Sequence, residues 1–422
     1  MTCNRVIVLS VISEYSNVFT ESRRLKLLEE WLNLLKEDTH VLFKAKYVGL
    51  LCNSTTKKSI DKGGSFSKSG LRVFINLRRP ALIHVLIFGI YHAISSLRSL
   101  VRIYKIYRRP VYVLLYATEY VPWLYLLPLY IVLKYLGRIM HVKVLLVHDY
   151  VDLYLKVYRY NRIEKFLYNI LESMSFKLST IFYSSASLIT GYLLSRGVKR
   201  DKIIYFPPSA GREFQRLRKN RDLHRGNNEK IVFVYVGNIV EELSSLSLIL
   251  ETLSSLDESE RSKIHVNLVL LVGKDKLRDL ETLYRNLKDR DLENIVKVRV
   301  NAPLHEVAEI ISNSHIGLAL LNPEHPTTKQ TDLPLKVAEY LCSGIPVIYT
   351  NFGRVRFFLK HGFHGLMVEH NVESVKDVVR YILLNPDVIN ELMNNVYKVR
   401  EHFCLSTVAG ELLIKTLKRF LQ

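Results

Sequence analysis

The sequence predicts an α/β protein made of two doubly wound domains with parallel sheets. Three observations support this fold class. The chain has 422 residues, which is more than one hydrophobic core usually holds. Short apolar runs typical of buried strands alternate with segments of helical periodicity, and such alternation builds parallel βαβ units. A charge-dense stretch with almost no core residues, 212–230, separates two such series.

The first series is apolar and rich in aromatic residues. Its polar segment at 53–70 contains many glycines and serines, as loops do. The helix expected at 80–110 becomes basic in its second half. The expected strands lie at 5–13, 40–51, 111–118 and 141–152, and the other expected helices at 21–37 and 121–137.

The second series begins after the charged stretch. Its expected strands lie at 230–238, 263–273, 295–300, 316–321, 345–350 and 365–369, with helices near 241–256, 275–288 and 304–314. We therefore predict an N-terminal domain at 1–211 and a C-terminal domain at 212–405. A last helix at 406–422 can cross back to the first domain.

Lysine and arginine outnumber the acidic residues by 60 to 40, which gives a formal net charge of +20. Such an excess favours an anionic partner, namely nucleic acid, an anionic membrane face or a phosphorylated ligand. The basic residues are spread over both domains and form no recognisable nucleic-acid-binding motif, so nucleic acid ranks last among these partners.

The four cysteines, Cys3, Cys52, Cys342 and Cys404, lie far apart and have no zinc spacing. This pattern predicts isolated thiols in a reducing compartment. The first residues, MTCNRVIVLSVIS, suit a strand better than a signal peptide. We therefore expect a cytoplasmic protein, with peripheral contact to the inner face of the cell membrane left open.

The segment 121–137 allows two interpretations. It is shorter than the about 20 apolar residues that span a bilayer, and Pro128 and Lys134 interrupt it. A core helix is the first interpretation. The second is an aromatic helix that rests on a membrane, because Trp123 and nearby tyrosines suit the interface and the basic tract at 98–109 can meet anionic headgroups.

The segment TDLPLKVAEYLCSGIPVIYT, at 331–350, predicts a helix followed by a buried strand. Pro334 suits the first turn of that helix, and Asp332 is expected to cap it. Lys336 would add a full charge to a helix N-terminus, which already favours phosphate. Glu339 shares its face and could bind a ribose diol. The alternative is a surface ion pair between these two side chains.

Several motifs resemble those of glycosyltransferases of the GT-B fold, family 4 or group 1 type, in which two Rossmann-like domains face a cleft. The segment LPLKVAEYLCSGIPVIYTNFG and the later LKHGFHGLMVE resemble the C-terminal signature of that family, and FVYVGNI at 233–239 resembles its first C-domain strand and glycine turn. YSSASLITGYLLSRGVKRDKIIYFPPS resembles its last N-domain segment. The positions that match the C-terminal signature are Pro334, Lys336, Glu339, Tyr340, Gly344, Pro346, Val347, Ile348, Gly362 and Gly365.

The resemblance implies roles for particular residues. Glu339 would bind the donor ribose, Gly237 would let the backbone approach the donor, and His148 would lie near the transferred sugar together with Asp149. We expect no cofactor, since the nucleotide-sugar is a substrate, and no metal ion, since positive charge on the protein can hold the leaving nucleotide. The donor-binding residues predicted in this way are Gly237, Asn238, Asp332, Leu333, Pro334, Lys336 and Glu339.

The sequence also departs from the family pattern. Thr331 stands where the first acid of the E-x7-E pair is usual, and Asn238 stands where arginine is common. Ser244 and Ser245 replace a common Lys-Gly pair. The variant DLPLKVAEY is similar to that of the β-1,4-mannosyltransferases that extend dolichol-linked chitobiose. We use this narrower similarity only to rank the candidate substrates.

Two further patterns carry little chemistry. Asp289, Arg290 and Asp291 have a D-x-D form, but they end a highly charged helix and are expected to be a solvated face. His361, His364 and His370 lack a metal-binding spacing.

His148 and Asp149 follow an apolar strand, where they act either as a catalytic pair or as a polar strand end.

We therefore expect a glycosyltransferase that moves a sugar from a UDP- or GDP-sugar to an acceptor hydroxyl. The basic, aromatic first domain favours a lipid-linked saccharide as acceptor, in polysaccharide or glycolipid biosynthesis. One alternative is a degenerate protein of the same fold that acts as a scaffold or partner subunit. Another is a nucleotide-sugar epimerase.

Overall fold

The computed structural model divides the chain into two compact units, which are described separately. The N-terminal unit contains Met1–Pro207 and Ala409–Gln422, and the C-terminal unit contains Pro208–Val408. The structure describes residues 6–16, 41–51, 70–76, 111–118, 120–140, 142–150, 162–215, 230–239 and 246–421, together with single residues at 27, 30, 31, 34, 90, 93, 94, 97, 98, 101, 105 and 153. Residues 53–69 of the predicted loop at 53–70, most of the predicted helix at 80–110, and Ser244 and Ser245 lie outside these residues.

The N-terminal unit is built on a seven-stranded sheet in the order β3-β2-β1-β4-β5-β6-β7, and all its strand pairs are parallel. Its strands are β1 (Val6–Ser16), β2 (Val41–Leu51), β3 (Gly70–Asn76), β4 (Val111–Thr118), β5 (Val142–Tyr150), β6 (Ile181–Ser184) and β7 (Ile203–Tyr205). Its helices are α1 (Tyr120–Met140), α2 (Arg162–Leu178) and α3 (Ser187–Ser195), and α12 (Leu405–Leu421) belongs to this unit from Ala409 onwards.

The expectation that 121–137 forms a core helix is confirmed by α1. Trp123, Leu126 and Leu129 are fully buried, and the indole nitrogen of Trp123 donates a hydrogen bond to Ser179 Oγ at 3.0 Å. Pro128 lies inside the helix, and Tyr135 is 76% exposed. Among the described residues, no helix combines the length and apolar character needed to cross a membrane.

The C-terminal unit contains a six-stranded parallel sheet in the order β10-β9-β8-β11-β12-β13. Its strands are β8 (Ile231–Asn238), β9 (Ile264–Leu271), β10 (Val296–Val300), β11 (Ile316–Ala319), β12 (Val347–Thr350) and β13 (Gly365–Val368). Its helices are α4 (Leu246–Ser255), α5 (Glu258–Ser262), α6 (Leu277–Asp289), α7 (Leu304–Ser312), α8 (Pro326–Gln330), α9 (Leu335–Cys342), α10 (Val372–Leu384) and α11 (Asp387–Val399). The predicted fold class is confirmed.

The strand order of the C-terminal sheet indicates at which edge of the sheet a ligand would bind. β8 leads to β9 on one side of the sheet and is bordered by β11 on the other. Ligands of such sheets bind outside the carboxyl ends of the strands, where the order reverses. Helix α9 ends at its C-cap Ser343, and Gly344 follows with a φ of 79°, a backbone conformation that favours glycine. β12 then starts at Val347 and carries the chain back through the core.

The expectation of isolated thiols is wrong for two of the four cysteines. Cys342 and Cys404 form a disulfide, with Cα atoms 5.4 Å apart and a sequence separation of 62. Sequence spacing could not reveal this pair, because the fold alone brings the end of α9 to the segment before α12. The disulfide closes a long loop within the C-terminal unit, so it restricts the unfolded chain more than the folded one.

Reduction of this disulfide is expected to lower the free energy of unfolding of the C-terminal unit by about 2–4 kcal/mol, through the loop entropy regained by the unfolded chain. Urea denaturation with and without a thiol reductant measures the difference. A Cys3→Ser/Cys52→Ser variant should respond to the reductant like the wild type, whereas Cys342→Ala/Cys404→Ala should not respond. Four reactive thiols in the unfolded, unreduced wild type would contradict the disulfide.

Candidate functional site

Helix α9 begins differently from the expectation. Its N-cap is Pro334, which makes no side-chain capping hydrogen bond, so the predicted capping role of Asp332 is wrong. Asp332 and Leu333 are each 2% exposed, and Leu333 belongs to the hydrophobic core under the sheet. Pro334 has no side-chain acceptor, and the first turn of α9 therefore keeps the positive character of a helix N-terminus.

Tyr340 fixes α9 against two strands of the sheet. Its hydroxyl accepts a hydrogen bond from the backbone N–H of Val236 at 2.9 Å and lies 3.4 Å from the carbonyl oxygen of Leu318. Its ring packs on Gly317, where a Cβ atom would lie 2.3 Å from the ring. Burial raises the pKa of the Tyr340 hydroxyl well above its usual value, so the group remains a neutral donor and acceptor. One buried side chain thus ties α9 to both β8 and β11.

Lys336 is placed by the same contact, because it precedes Tyr340 by one helical turn. Its ammonium nitrogen lies 4.2 Å from the centroid of the Tyr235 ring, which is a cation–π contact. Burial lowers the pKa of Lys336 to about 8, and the nearby charge of Glu339 acts in the opposite direction. Glu339 is half-buried on the same helix. The predicted pair of Lys336 and Glu339 therefore does lie together, with Tyr235 as a third member.

Gly237 leaves room beside this pair, near the end of β8. A Cβ atom on Gly237 would lie 2.8 Å from Lys336 Nζ and 2.7 Å from the hydroxyl oxygen of Tyr235. Both neighbours are the far ends of side chains. Asn238 follows as the last residue of β8 and is exposed. Gly237, Asn238, Tyr235 and Lys336 thus gather at the carboxyl end of the central strand.

The arrangement has the chemistry of an anion site with a neighbouring carboxylate. Lys336 supplies a positive charge, the start of α9 supplies a helix dipole, and Gly237 allows close approach to the backbone. Glu339 can accept hydrogen bonds one turn further along the helix.

Sequence reasoning missed Tyr235, because its role depends on a contact across about 100 residues of sequence. Only its place two residues before the glycine turn hinted at it.

The predicted catalytic pair lies in the N-terminal unit. His148 is fully buried within β5, and its ring is 5.2 Å from that of Tyr150 and 5.9 Å from that of Phe182. Burial lowers the pKa of His148 to about 3, against the opposing charge of Asp149, so the imidazole is neutral. A residue that contacts substrate must be reachable, and this placement favours a packing role for His148.

Asp149 is 2% exposed and accepts a hydrogen bond from the Tyr116 hydroxyl at 2.6 Å. The Tyr116 ring meets the Tyr183 ring edge-on at 5.6 Å. Burial, with a smaller contribution from the Asp149 charge, raises the pKa of Tyr183, whose hydroxyl is hydrogen-bonded to Thr416 of α12. The carboxylate is thus part of a buried polar cluster at the end of β5. The catalytic role of His148 and Asp149 stays a prediction.

The other sequence patterns occupy ordinary positions. Asp289 and Asp291 are exposed at the end of α6, as expected for a solvated face. His361 and His364 each accept a hydrogen bond from a nearby backbone N–H, of Met367 and Lys360 respectively. Among the described residues, no group of three or more histidine, cysteine or acidic side chains is arranged to hold a metal ion.

Comparison with known proteins gives one family match and several structures of similar fold. Residues 218–399 match the family of glycosyl transferases group 1. A glycosyltransferase from Rickettsia africae ESF-5 has a similar structure, with a TM-score of 0.66 and 14% identity over 99% of each chain. Sucrose-phosphate synthase from Thermosynechococcus elongatus gives 0.64 and 13% over 98% of each chain. Anabaena Alr3699/HepE, solved with UDP and glucose, gives 0.63 and 10% over 97% of this chain and 99% of its own.

No curated protein matches the sequence. The two parallel α/β units and these structural neighbours define a protein of the GT-B fold. Residues 218–399, which include Gly237, Lys336 and Glu339, are similar to the group 1 glycosyl transferases, and this match together with the fold supports a glycosyltransferase.

Two glycines allow a matched test of the site. Gly317→Ala should destabilise the C-terminal unit by about 1–3 kcal/mol, because the new methyl group collides with the buried ring of Tyr340. Gly237→Ala should cost less than about 1 kcal/mol, because the ends of Lys336 and Tyr235 can move aside. Denaturant unfolding of both variants measures the difference. Equal destabilisation would show that the space beside Gly237 is closed.

Proposed function

We propose that the protein transfers a sugar from a UDP- or GDP-sugar to an acceptor hydroxyl. The observation that carries the proposal is the cation–π contact that holds Lys336 over Tyr235 beside Gly237. A charged ammonium next to a helix N-terminus suits a diphosphate, and the glycine gives it space. Alr3699/HepE, which shares the fold, binds UDP and glucose.

Glu339 is proposed to bind the ribose of the donor. It lies on the face of α9 that carries Lys336, and a carboxylate there can accept two hydrogen bonds from the ribose hydroxyls. Diphosphate and ribose are adjacent in every nucleotide-sugar. One helix would therefore recognise both groups, with Lys336 nearer its N-terminus.

The leaving nucleoside diphosphate gains negative charge as the glycosidic bond breaks. Lys336 and the N-terminus of α9 would stabilise that charge, so the proposed reaction needs no metal ion. Asn238 stands where an arginine is common in the family. Among the described residues, Lys336 would therefore be the main cation that binds the diphosphate. The proposed acceptor is a lipid-linked saccharide, for which the basic character of the chain is the support.

Thermal unfolding with UDP- and GDP-sugars tests the donor proposal. One donor class, at about 100 times its Kd, should stabilise the wild type by about 2.7 kcal/mol, which is several degrees in Tm. Glu339→Ala should lose this stabilisation, because the ribose contact is removed. Glu281→Ala, a change of an exposed glutamate of α6, is the matched control and should respond like the wild type.

The same measurement separates the alternatives. A well-folded wild type that no donor stabilises would contradict the proposal and favour the scaffold. A donor that is bound and converted without any acceptor would favour the epimerase, and product analysis by chromatography distinguishes that outcome.

The pH dependence of donor binding tests the role of Lys336. Its pKa of about 8 means that the cation is present below that pH and is lost above it. Affinity for UDP should therefore fall about tenfold between pH 7 and pH 9, as the charged fraction falls. Lys336→Arg keeps its charge over this range and should bind with little pH dependence. Titration calorimetry at several pH values measures both. A wild-type affinity that is constant from pH 7 to pH 9 would remove Lys336 from the diphosphate site.

A further inference from the structure

The helices of the N-terminal unit form a layer whose outer surface has an unusual composition. β4, β5, β6 and β7 are neighbours in the sheet in that order, and α1, α2 and α3 connect them successively. Parallel connections are right-handed, so three steps in one direction place the three helices on the same side of the sheet. α1 packs directly against α2.

The middle helix of this layer exposes large apolar side chains. Ile163 is 73% exposed, Phe166 is 64% exposed and Ile170 is 42% exposed. They occur at positions i, i+3 and i+7 of α2 and therefore form one line along its surface, which we call the α2 stripe. The opposite side of α2 is a normal core face, where Leu171 is buried. Neighbouring helices add further exposed apolar side chains, namely Ile131, Tyr135, Leu188 and Leu194.

Among the described residues of α2, the exposed charged side chains around the stripe are all basic. Arg162 lies at the first turn of α2, Lys165 lies beside the stripe, and Lys177 continues its line seven residues after Ile170. All three are exposed. The carboxylate of Glu172 is turned away from this surface, since it is 1% exposed. The side chain of Glu164 is outside the described residues.

Glu172 is held inside by its own partners. It accepts hydrogen bonds from the hydroxyl groups of Tyr150 and Tyr192, and Arg196 donates to it at 3.2 Å. The carboxylate of Glu172 on the inner side of α2 is thereby hydrogen-bonded to neighbouring side chains of the same unit. Among the described side chains of α2, the exposed surface then presents only apolar and basic groups together with neutral polar ones.

We propose that the α2 stripe rests on an anionic phospholipid bilayer, with α2 lying flat along the membrane surface. A helix of 17 residues is about 25 Å long, and an apolar line bordered by cations suits the boundary between headgroups and acyl chains. Phe166 and Ile163 enter that boundary, while Arg162, Lys165 and Lys177 meet lipid phosphates. This contact site differs from the segment 121–137 considered from the sequence, whose Trp123 is in the core.

The inference deepens the lipid-linked acceptor of the proposed function, and it rests on that part of the proposal. A membrane-bound acceptor must be met at the bilayer surface, and the α2 stripe would hold the N-terminal unit there. Donor binding belongs to the C-terminal unit and is measured separately. A failure of membrane binding therefore leaves the donor proposal intact, and a failure of donor binding leaves the membrane contact intact.

Co-flotation of the full chain with vesicles tests the contact. The wild type should bind phosphatidylglycerol vesicles at low salt and should bind phosphatidylcholine vesicles at least about tenfold more weakly. Ile163→Ser/Phe166→Ser should weaken binding to phosphatidylglycerol vesicles at least about tenfold, because the inserted apolar surface is lost. Arg162→Gln/Lys177→Gln should weaken it as well and reduce its dependence on salt.

The matched control is Phe357→Ser/Leu384→Ser, which removes two apolar side chains that are 84% and 81% exposed in the C-terminal unit. It should bind vesicles like the wild type. Equal vesicle binding by the wild type and Ile163→Ser/Phe166→Ser would overturn the proposal. So would a wild-type dimer in solution that the same substitution dissociates, because a second copy of the chain would then cover the stripe. The Tm of each variant establishes that it is folded.

Discussion

The hydrogen bonds of one tyrosine organise the candidate site. The Tyr340 hydroxyl joins α9 to β8 and β11, and its ring fits where Gly317 has no side chain. The position of Lys336 follows from that attachment, because both residues belong to α9. Lys336 reaches the Tyr235 ring because Tyr340 fixes the position of α9 on the sheet, and the ends of both side chains lie beside Gly237. Because a buried N–H without an acceptor costs about 1–3 kcal/mol, the contact with Val236 is also a constraint on folding.

The two units use buried polar groups differently. In the C-terminal unit, Tyr340 and Lys336 lie at the end of the central strand, beside an opening made by a glycine. In the N-terminal unit, Asp149 and Glu172 are enclosed by tyrosine hydroxyls and are almost inaccessible. A buried carboxylate is tolerated when donors surround it, and such a cluster fixes the positions of the elements that supply them. The polar groups of the first unit thus hold its helices on the sheet, while in the second Tyr340 holds α9 and Lys336 lies beside Gly237 at the strand end.

Local patterns were the part of the structure that the sequence could predict. The strand before Gly237, the helix with Lys336 and Glu339, and the stop at Gly344 depend on residues within a few positions of one another. Contacts between distant segments were not accessible in this way. The disulfide between Cys342 and Cys404, the ring of Tyr235 under Lys336, and the enclosure of His148 all depend on how elements pack. The cap expected from Asp332 was wrong because the chain turns inward there and buries that side chain.

The N-terminal unit is discontinuous in sequence, and this affects the order in which the chain can fold during synthesis. Trp31 donates a hydrogen bond to the carbonyl oxygen of Ala409, and Tyr183 is hydrogen-bonded to Thr416, so α12 supplies part of the interior of a unit that begins about 400 residues earlier. The C-terminal unit, by contrast, is continuous from Pro208 to Val408. The N-terminal unit, although it begins first in the sequence, completes its interior only when α12 has been made.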